Sequence, residues 1–83
     1  MEKKPIGKIA HYFTKISVAV IDLSDELKVG DRISIEGATS NFEQAVNSMQ
    51  IEHDDVKSAT AGQSVGMKVD QRVRQGDLVF KIS

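Results

Sequence analysis

Apolar and polar residues alternate in short runs along most of this chain, and this period of two is the feature that most limits its fold. Ile33 and Ile35 stand between polar neighbours, and Val65, Met67 and Val69 repeat the same spacing. No window of about eleven residues keeps the i, i+3, i+4, i+7 apolar stripe of an amphipathic helix. Turn signals recur roughly every 8 to 15 residues, so the sequence predicts an all-β domain of about six strands, closed as a barrel or sandwich.

The length of 83 residues is enough for one hydrophobic core but not for two. Residues 1–83 are therefore predicted to be a single β-barrel domain, with residues 1–5 as a flexible N-terminal tail. Cysteine is absent, which excludes disulfides and thiolate metal sites. No apolar run reaches the roughly 20 residues of a membrane-spanning helix, and the N-terminus lacks the apolar region of a secretory signal. We expect a cytoplasmic protein without membrane contact.

The alternation also predicts which side chains face the core. The first strand is predicted over residues 6–13, and the second begins with Ile16, Val18 and Val20 facing inward. The apolar phase then shifts by one residue at residues 21–23, which predicts a β-bulge there, and a second bulge is predicted within residues 45–51. The later side chains expected inside are Ile33, Ile35, Val65, Met67, Val69, Phe80 and Ile82.

A turn pattern occurs twice. Residues 27–33 and residues 73–79 both read as an apolar residue, two residues, Gly-Asp, one residue and a second apolar residue. Glycine adopts the positive φ that a tight turn before a strand requires. The two segments are therefore predicted to form the same turn.

Basic residues predominate at the two ends of the chain, and acidic residues predominate in the middle. Residues 1–15 hold four lysines against one acidic residue, residues 16–67 hold three basic against nine acidic residues, and residues 68–83 hold four basic against two acidic residues. Because the first and last strands of a barrel come together, the basic ends are predicted to form one patch that attracts phosphate. The pI near 6.1 favours the alternative of an ordinary mixed-charge surface. The candidate contacts are Lys8, Lys15, Lys68, Arg72 and Arg74, with Lys3, Lys4 and Lys81 close by.

Four aromatic residues occur, and single-stranded nucleic acids bind to exposed rings beside basic side chains. Phe13 and Phe80 are predicted to pack in the core. Residues 37–42 are predicted to be a polar loop in which Phe42 is the better candidate for an exposed contact, and Tyr12 is a second candidate for the surface.

Catalytic and metal-binding patterns are weak. Residues 62–66 lack the glycine spacing and the following Lys-Ser/Thr of a phosphate-binding loop. Glu52, His53, Asp54 and Asp55 are consecutive, and consecutive side chains of a strand point to opposite faces, so a metal site is not expected. His11 has no serine at a spacing that indicates a nucleophile. The sequence therefore predicts a binding protein that is not an enzyme and holds neither metal nor cofactor.

Three segments, LKVGDRISI (27–35), TAGQSVGMKV (60–69) and RQGDLVFK (74–81), resemble the second-domain β-barrel of translational GTPases such as elongation factor Tu. Residues 9–13 and 48–53 are more similar to the C-terminal barrel of collagenase-like peptidase family proteins, some of which are linked to tRNA modification. The resemblance implies a small six-stranded antiparallel Greek-key barrel of the translation-protein type. With no GTPase or peptidase domain preceding it, the chain resembles a stand-alone copy of that accessory module.

Two functions of different classes follow. In the first, a translation-factor-like binding module contacts tRNA or ribosomal RNA through the basic first and last strands. In the second, a protein-interaction module docks on a separate RNA-modifying enzyme or translation factor.

Overall fold

The computed structural model describes residues 3–38 and 41–82, and every regular element in these residues is a β-strand. They contain no helix, and so none long and apolar enough to span a membrane. The strands are β1 (Lys3–Phe13), β2 (Val18–Leu23), β3 (Leu27–Lys28), β4 (Arg32–Glu36), β5 (Asn41–Ala45), β6 (Met49–Ile51), β7 (Asp54–Val56), β8 (Ser58–Ala59), β9 (Ser64–Lys68) and β10 (Leu78–Ile82).

Eight of these strands form one antiparallel sheet in the order β5-β4-β10-β1-β2-β9-β6-β7, and β3 pairs with β8 in a small second sheet. The prediction of an all-β fold is therefore confirmed. The large sheet ends on β5 and β7 and is not closed into a barrel, so the six-stranded closed form is not what the described residues show. The chain between residues 45 and 59 is divided among short strands, which raises the strand number above six.

The core lies on the inner face of the curved sheet. Five of the predicted core residues are buried, namely Ile33, Ile35, Val65, Met67 and Val69, with exposed fractions of 0 to 3%. The side chains that join them from the first two strands are those of Ile6, Ile9, Ala19, Ile21 and Leu23. β3 and β8 contribute Leu27 and Ala59, so the small sheet shares the same core.

Two strands depart from the predicted phase, β2 in its first half and β10 throughout. In β2 the buried residues are Ala19, Ile21 and Leu23. Val18 and Val20, which were expected inside, lie on the outer face, and the register of β2 with β9 shows no bulge at residues 21–23. The bulge lies instead in β1, where the register with β2 shifts between Ile9 and His11.

β10 is likewise inverted relative to the prediction. Val79 is completely buried, and Leu78 is 46% exposed. Phe80 and Ile82, which were expected inside, are only half-buried. Phe13 and Ile16 were also expected to face inward, and they are 46% and 60% exposed.

Residues 3–5 are not a tail. Lys3, Lys4 and Pro5 pair with Ile82, Lys81 and Phe80 of β10, and this corrects the tail prediction for those residues. Met1 and Glu2 lie outside the described residues.

Two ion pairs on the surface join the start of β1 to neighbouring parts of the domain. Lys3 Nζ donates to Glu36 Oε2 at 2.8 Å, and Lys4 Nζ pairs with Asp25. The hydrogen bond from Lys3 lowers the pKa of Glu36, and that from Lys4 lowers the pKa of Asp25. Both pairs are exposed, so each contributes little to stability.

The repeated Gly-Asp turn is confirmed. The backbone amides of Lys28 and Arg74 donate to the Oδ2 atoms of Asp31 and Asp77, at 2.9 and 3.0 Å. The backbone amide of Asp31 donates to the carbonyl of Lys28, and that of Asp77 donates to the carbonyl of Arg74, both at 3.1 Å. Gly30 and Gly76, which precede these aspartates, have φ values of 99° and 94°, and this explains why glycine occurs at that position of both turns.

A buried glutamine links the edge strand β5 to the far end of β9. Gln44 Nε2 donates to the carbonyl of Lys68 at 3.0 Å, and Gln44 Oε1 accepts from the amide of Asp70 at 2.8 Å. Gln44 is only 5% exposed. Its side-chain amide thus satisfies two backbone groups at a place where no strand pairs with β5 on that side.

We expect Gln44→Leu to destabilise the domain by about 2 kcal/mol, because two backbone groups lose their partners in a buried site. Gln71→Leu is the matched control, since Gln71 is exposed and its substitution should change stability by less than about 0.5 kcal/mol. Urea unfolding of the three proteins measures the difference. Equal stabilities of the two variants would show that the Gln44 link does not hold the curved sheet together.

Candidate functional site

A groove of about 510 Å³ runs along the outer face of the large sheet. Its floor is β9 around Gly66, which pairs with Val20 of β2 on one side and with Gln50 of β6 on the other. The volume falls within the roughly 300–1,000 Å³ of pockets that bind small ligands or single side chains. We call this the outer groove; it is lined by Phe13, Ile16, Val18, Val20, Gln50, Glu52, His53, Ser64 and Gly66.

Gly66 has no conformational reason to be glycine. Its φ is not among the positive values of the chain, and a Cβ atom added to it would lie 3.6 Å from Val18 Cγ1 and 4.0 Å from the Gln50 carbonyl oxygen. Both are ordinary van der Waals distances, so a side chain would fit at its base. Glycine inside a strand costs about 0.5–1 kcal/mol relative to alanine. A glycine inside a strand often marks a bulge, a bend or a place where a ligand or another backbone comes close, and the register of β9 with β2 shows no bulge at Gly66.

The wall formed by β1 and β2 is apolar and open to solvent. Val18 and Val20 project from β2 on the outer face, and Phe13 lies directly opposite Val18 in the register. Ile16, in the turn between these strands, is 60% exposed. The His11 ring packs edge-on against Phe13 with ring centroids 4.4 Å apart, which supports the orientation of Phe13. Exposed apolar residues grouped on one face indicate a surface that binds another molecule.

The opposite wall is the tight hairpin between β6 and β7. Ile51 pairs with Asp54, so only Glu52 and His53 form the turn. Their φ values are 51° and 70°, both in the left-handed region. A two-residue hairpin turn with positive φ at both positions is most often Asn-Gly, which adopts these values without strain. Ser17, next to Ile16, also has a positive φ of 55°. Two strained turns therefore border the groove, and such strain is frequent at binding sites.

The first and last strands pair as predicted, but three of the basic residues at that pairing have acidic partners. Lys3, Lys4 and Lys81 are engaged in ion pairs with Glu36, Asp25 and Asp31. Lys8 lies in the middle of β1, and Arg72 and Arg74 lie in the segment before β10. Lys15 and Lys68 lie at the same end of the sheet, because the amide of Val69 donates to the carbonyl of Ser17.

The expectation for Phe42 is wrong. Phe42 is 8% exposed and belongs to the core, where it lies opposite Ile35 on β4. The polar residues before it made the segment look like a loop, whereas the chain forms β5 and places this ring on the inner face. Thr39 and Ser40 of the predicted polar loop lie outside the described residues.

Of the two histidines, His53 lines the outer groove and His11 packs against Phe13 beside it. The hydrogen bonds of Ser34, Thr60 and Ser64 hydroxyls go to Glu36, Gln63 and Asp22. Across residues 3–38 and 41–82, no three His, Asp or Glu side chains are grouped to hold a metal ion. The sequence reasoning missed Gly66, although a glycine among alternating β residues was the available signal.

Comparison with known sequences links the chain to proteases. It is 46% identical over 79 residues to an uncharacterized protease of Methanocaldococcus jannaschii, which covers 94% of this chain and 19% of that protein. It is 34% identical over 82 residues to a collagenase of Porphyromonas gingivalis, which covers 96% of this chain and 23% of that protein. The chain thus spans about a fifth of the length of these relatives. No family model matches it.

Comparison with solved structures supports the same fold. The C-terminal domain of a Geobacillus thermoleovorans protein classed with the U32 peptidases superposes with a TM-score of 0.90 at 19% identity. The superposition covers 96% of this chain and 93% of that domain. The likeness to collagenase-like proteins is therefore supported, and the likeness to the elongation factor barrel is not confirmed.

These relatives correct the functional expectation. Their names are those of proteases and a collagenase, so the prediction of a translation-factor-like module that contacts tRNA or ribosomal RNA is wrong. The alternative of docking on a separate RNA-modifying enzyme or translation factor is wrong for the same reason.

Proposed function

We propose that this chain is a non-catalytic domain of the collagenase-like U32 peptidase family, and that it holds a polypeptide segment in the outer groove. The observation that carries the proposal is the floor of that groove, where Gly66 leaves the backbone of β9 bare between two walls. The relatives support polypeptide as the class of ligand, because they are named as proteases.

The geometry of the groove suits an extended chain. β9 lies between β2 and β6, so the groove follows the direction of a strand. Val18 and Val20 supply apolar contact along one side. Without a side chain at Gly66, a bound backbone can approach the sheet more closely than over any other residue of β9 that faces outward.

The assignment as non-catalytic rests on the same surroundings. A hydrolytic site of the serine type needs a nucleophile hydrogen-bonded to a base, which is in turn oriented by a third group. Ser64 carries the hydroxyl that lines the groove, and this hydroxyl donates to Asp22 Oδ1 at 2.6 Å. An aspartate in contact with a serine but without an intervening base does not make the hydroxyl a strong nucleophile.

We expect fluorescein-labelled β-casein, an unstructured polypeptide, to bind the purified chain without being cut. Val20→Ser should weaken binding several-fold, because it removes apolar contact from the groove wall. Leu78→Ser is the matched control, since Leu78 is exposed on β10 outside the groove. Fluorescence anisotropy measures the binding and gel electrophoresis measures the cleavage. Fragments that appear in proportion to the chain would contradict the non-catalytic role, and equal weakening by both substitutions would contradict the site.

A further inference from the structure

We infer that the outer groove selects extended segments with a bulky apolar side chain at one position, a cationic side chain two residues away on one side and a carboxylate two residues away on the other. This inference rests on the proposed function and names the chemistry of the segment that is held.

The spacing comes from β9 itself. Ser64, Gly66 and Lys68 share the outer face, because Val65 and Met67 between them are buried. Successive outward positions of a strand are roughly 7 Å apart. An extended peptide lying along β9 has the same spacing, so its alternate side chains match these three positions.

One end of the groove is acidic. Glu52 lines it, and Asp22 lies next to it through the hydrogen bond with Ser64. None of the described ion pairs involves Asp22 or Glu52. Lys8 is the cation nearest in register, directly opposite Asp22 on β1. Lys8 offsets the charge of Asp22, so the carboxylate of Glu52 is the group that favours a cationic side chain at this end.

The other end is basic. Lys68 is in register with Val18 on the outer face, and Lys15 belongs to the turn at the same end of the sheet. The described ion pairs include neither of these lysines. Neither lysine lines the outer groove itself, so the outer face changes from acidic at Glu52, through apolar at Val20 and Gly66, to basic just beyond the groove, where Lys68 follows on the same face of β9. Complementarity of this kind sets which partner is accepted more than how tightly it binds.

The test uses labelled, end-capped heptapeptides of identical composition. Gly-Arg-Ser-Leu-Ser-Glu-Gly carries the charges two residues from leucine, and Gly-Ser-Arg-Leu-Glu-Ser-Gly carries them one residue away, where they point to the other side of an extended peptide. We expect the first to bind about fivefold more tightly at low salt, the effect of two exposed ion pairs. High salt should remove the preference.

A charge exchange tests the basic end directly. Lys68→Glu should reverse the preference between Gly-Arg-Ser-Leu-Ser-Glu-Gly and Gly-Arg-Ser-Leu-Ser-Arg-Gly, because the exposed side chain then carries a carboxylate. Lys57→Glu is the control and should leave the preference unchanged, because Lys57 is exposed between β7 and β8 and does not lie on β9.

The outcomes distinguish a failure of this inference from a failure of the proposed function. Equal binding of both arginine-glutamate peptides, with β-casein still bound through the groove, would overturn the charge pattern alone. Failure of the peptides and of β-casein to bind would overturn both. A dimer in sedimentation equilibrium that Gly66→Val abolishes would show that the occupant is a second copy of the chain, and would also overturn the inference.

Discussion

Val79→Asp is expected to unfold the domain, with a loss of more than about 4 kcal/mol, because it places an unpaired carboxylate in the core. Val79 is completely buried in β10, the strand that pairs with β1 on one side and with β4 on the other. Small domains have only a modest stability to lose. The variant should therefore show no cooperative transition in circular dichroism at room temperature.

Leu78→Asp is the matched control for this prediction. Leu78 is the preceding residue of the same strand and is 46% exposed, so the same substitution should cost about 1 kcal/mol or less. Lys8 and Glu36 lie opposite it on the two neighbouring strands and offset each other in charge. A folded Val79→Asp protein beside an unfolded Leu78→Asp protein would show that the phase of β10 is the one first predicted from the sequence.

The phase of a strand was predictable where only one face is apolar. In β4 and β9 the apolar residues alternate with polar residues or glycine, and their buried faces were predicted correctly. In β2, Val18, Ala19, Val20 and Ile21 are all apolar, so alternation gives two equivalent phases and tertiary packing decides between them. The same difficulty affects β10, where the residues 78–80 are all apolar.

The failed prediction in β2 coincides with the candidate site. Val18 and Val20 are apolar on an outer face, against the pattern of a half-buried strand, and they form the wall of the outer groove. Departures of this kind are expected where a surface serves a function. The remaining wall depends on the pairing of β6 with β9, a contact between distant segments that no local pattern encodes.

Gly66→Val is expected to weaken polypeptide binding at least tenfold while the domain stays folded and becomes slightly more stable. The added side chain fills the floor of the outer groove, where its Cβ would meet Val18 Cγ1 at 3.6 Å without a clash. Valine favours strands and glycine disfavours them, so the free energy of unfolding should rise by up to about 1 kcal/mol. Affinity for β-casein should fall at least tenfold, or about 1.4 kcal/mol. Gly66→Ala should give an intermediate loss.

Ser58→Val supplies the control for added apolar bulk. Ser58 is exposed on β8 in the small sheet, away from the outer groove, and its replacement should leave binding unchanged. This comparison separates filling of the groove from a general change of the surface.

The most direct measurement is the titration of labelled β-casein with the wild-type chain, Gly66→Val and Ser58→Val by fluorescence anisotropy, beside urea unfolding of the same three samples. Binding at the outer groove predicts that Gly66→Val loses at least tenfold in affinity with undiminished stability, and that Ser58→Val binds like the wild type. Wild-type affinity in a stable Gly66→Val protein would contradict the assignment of the outer groove as the polypeptide site.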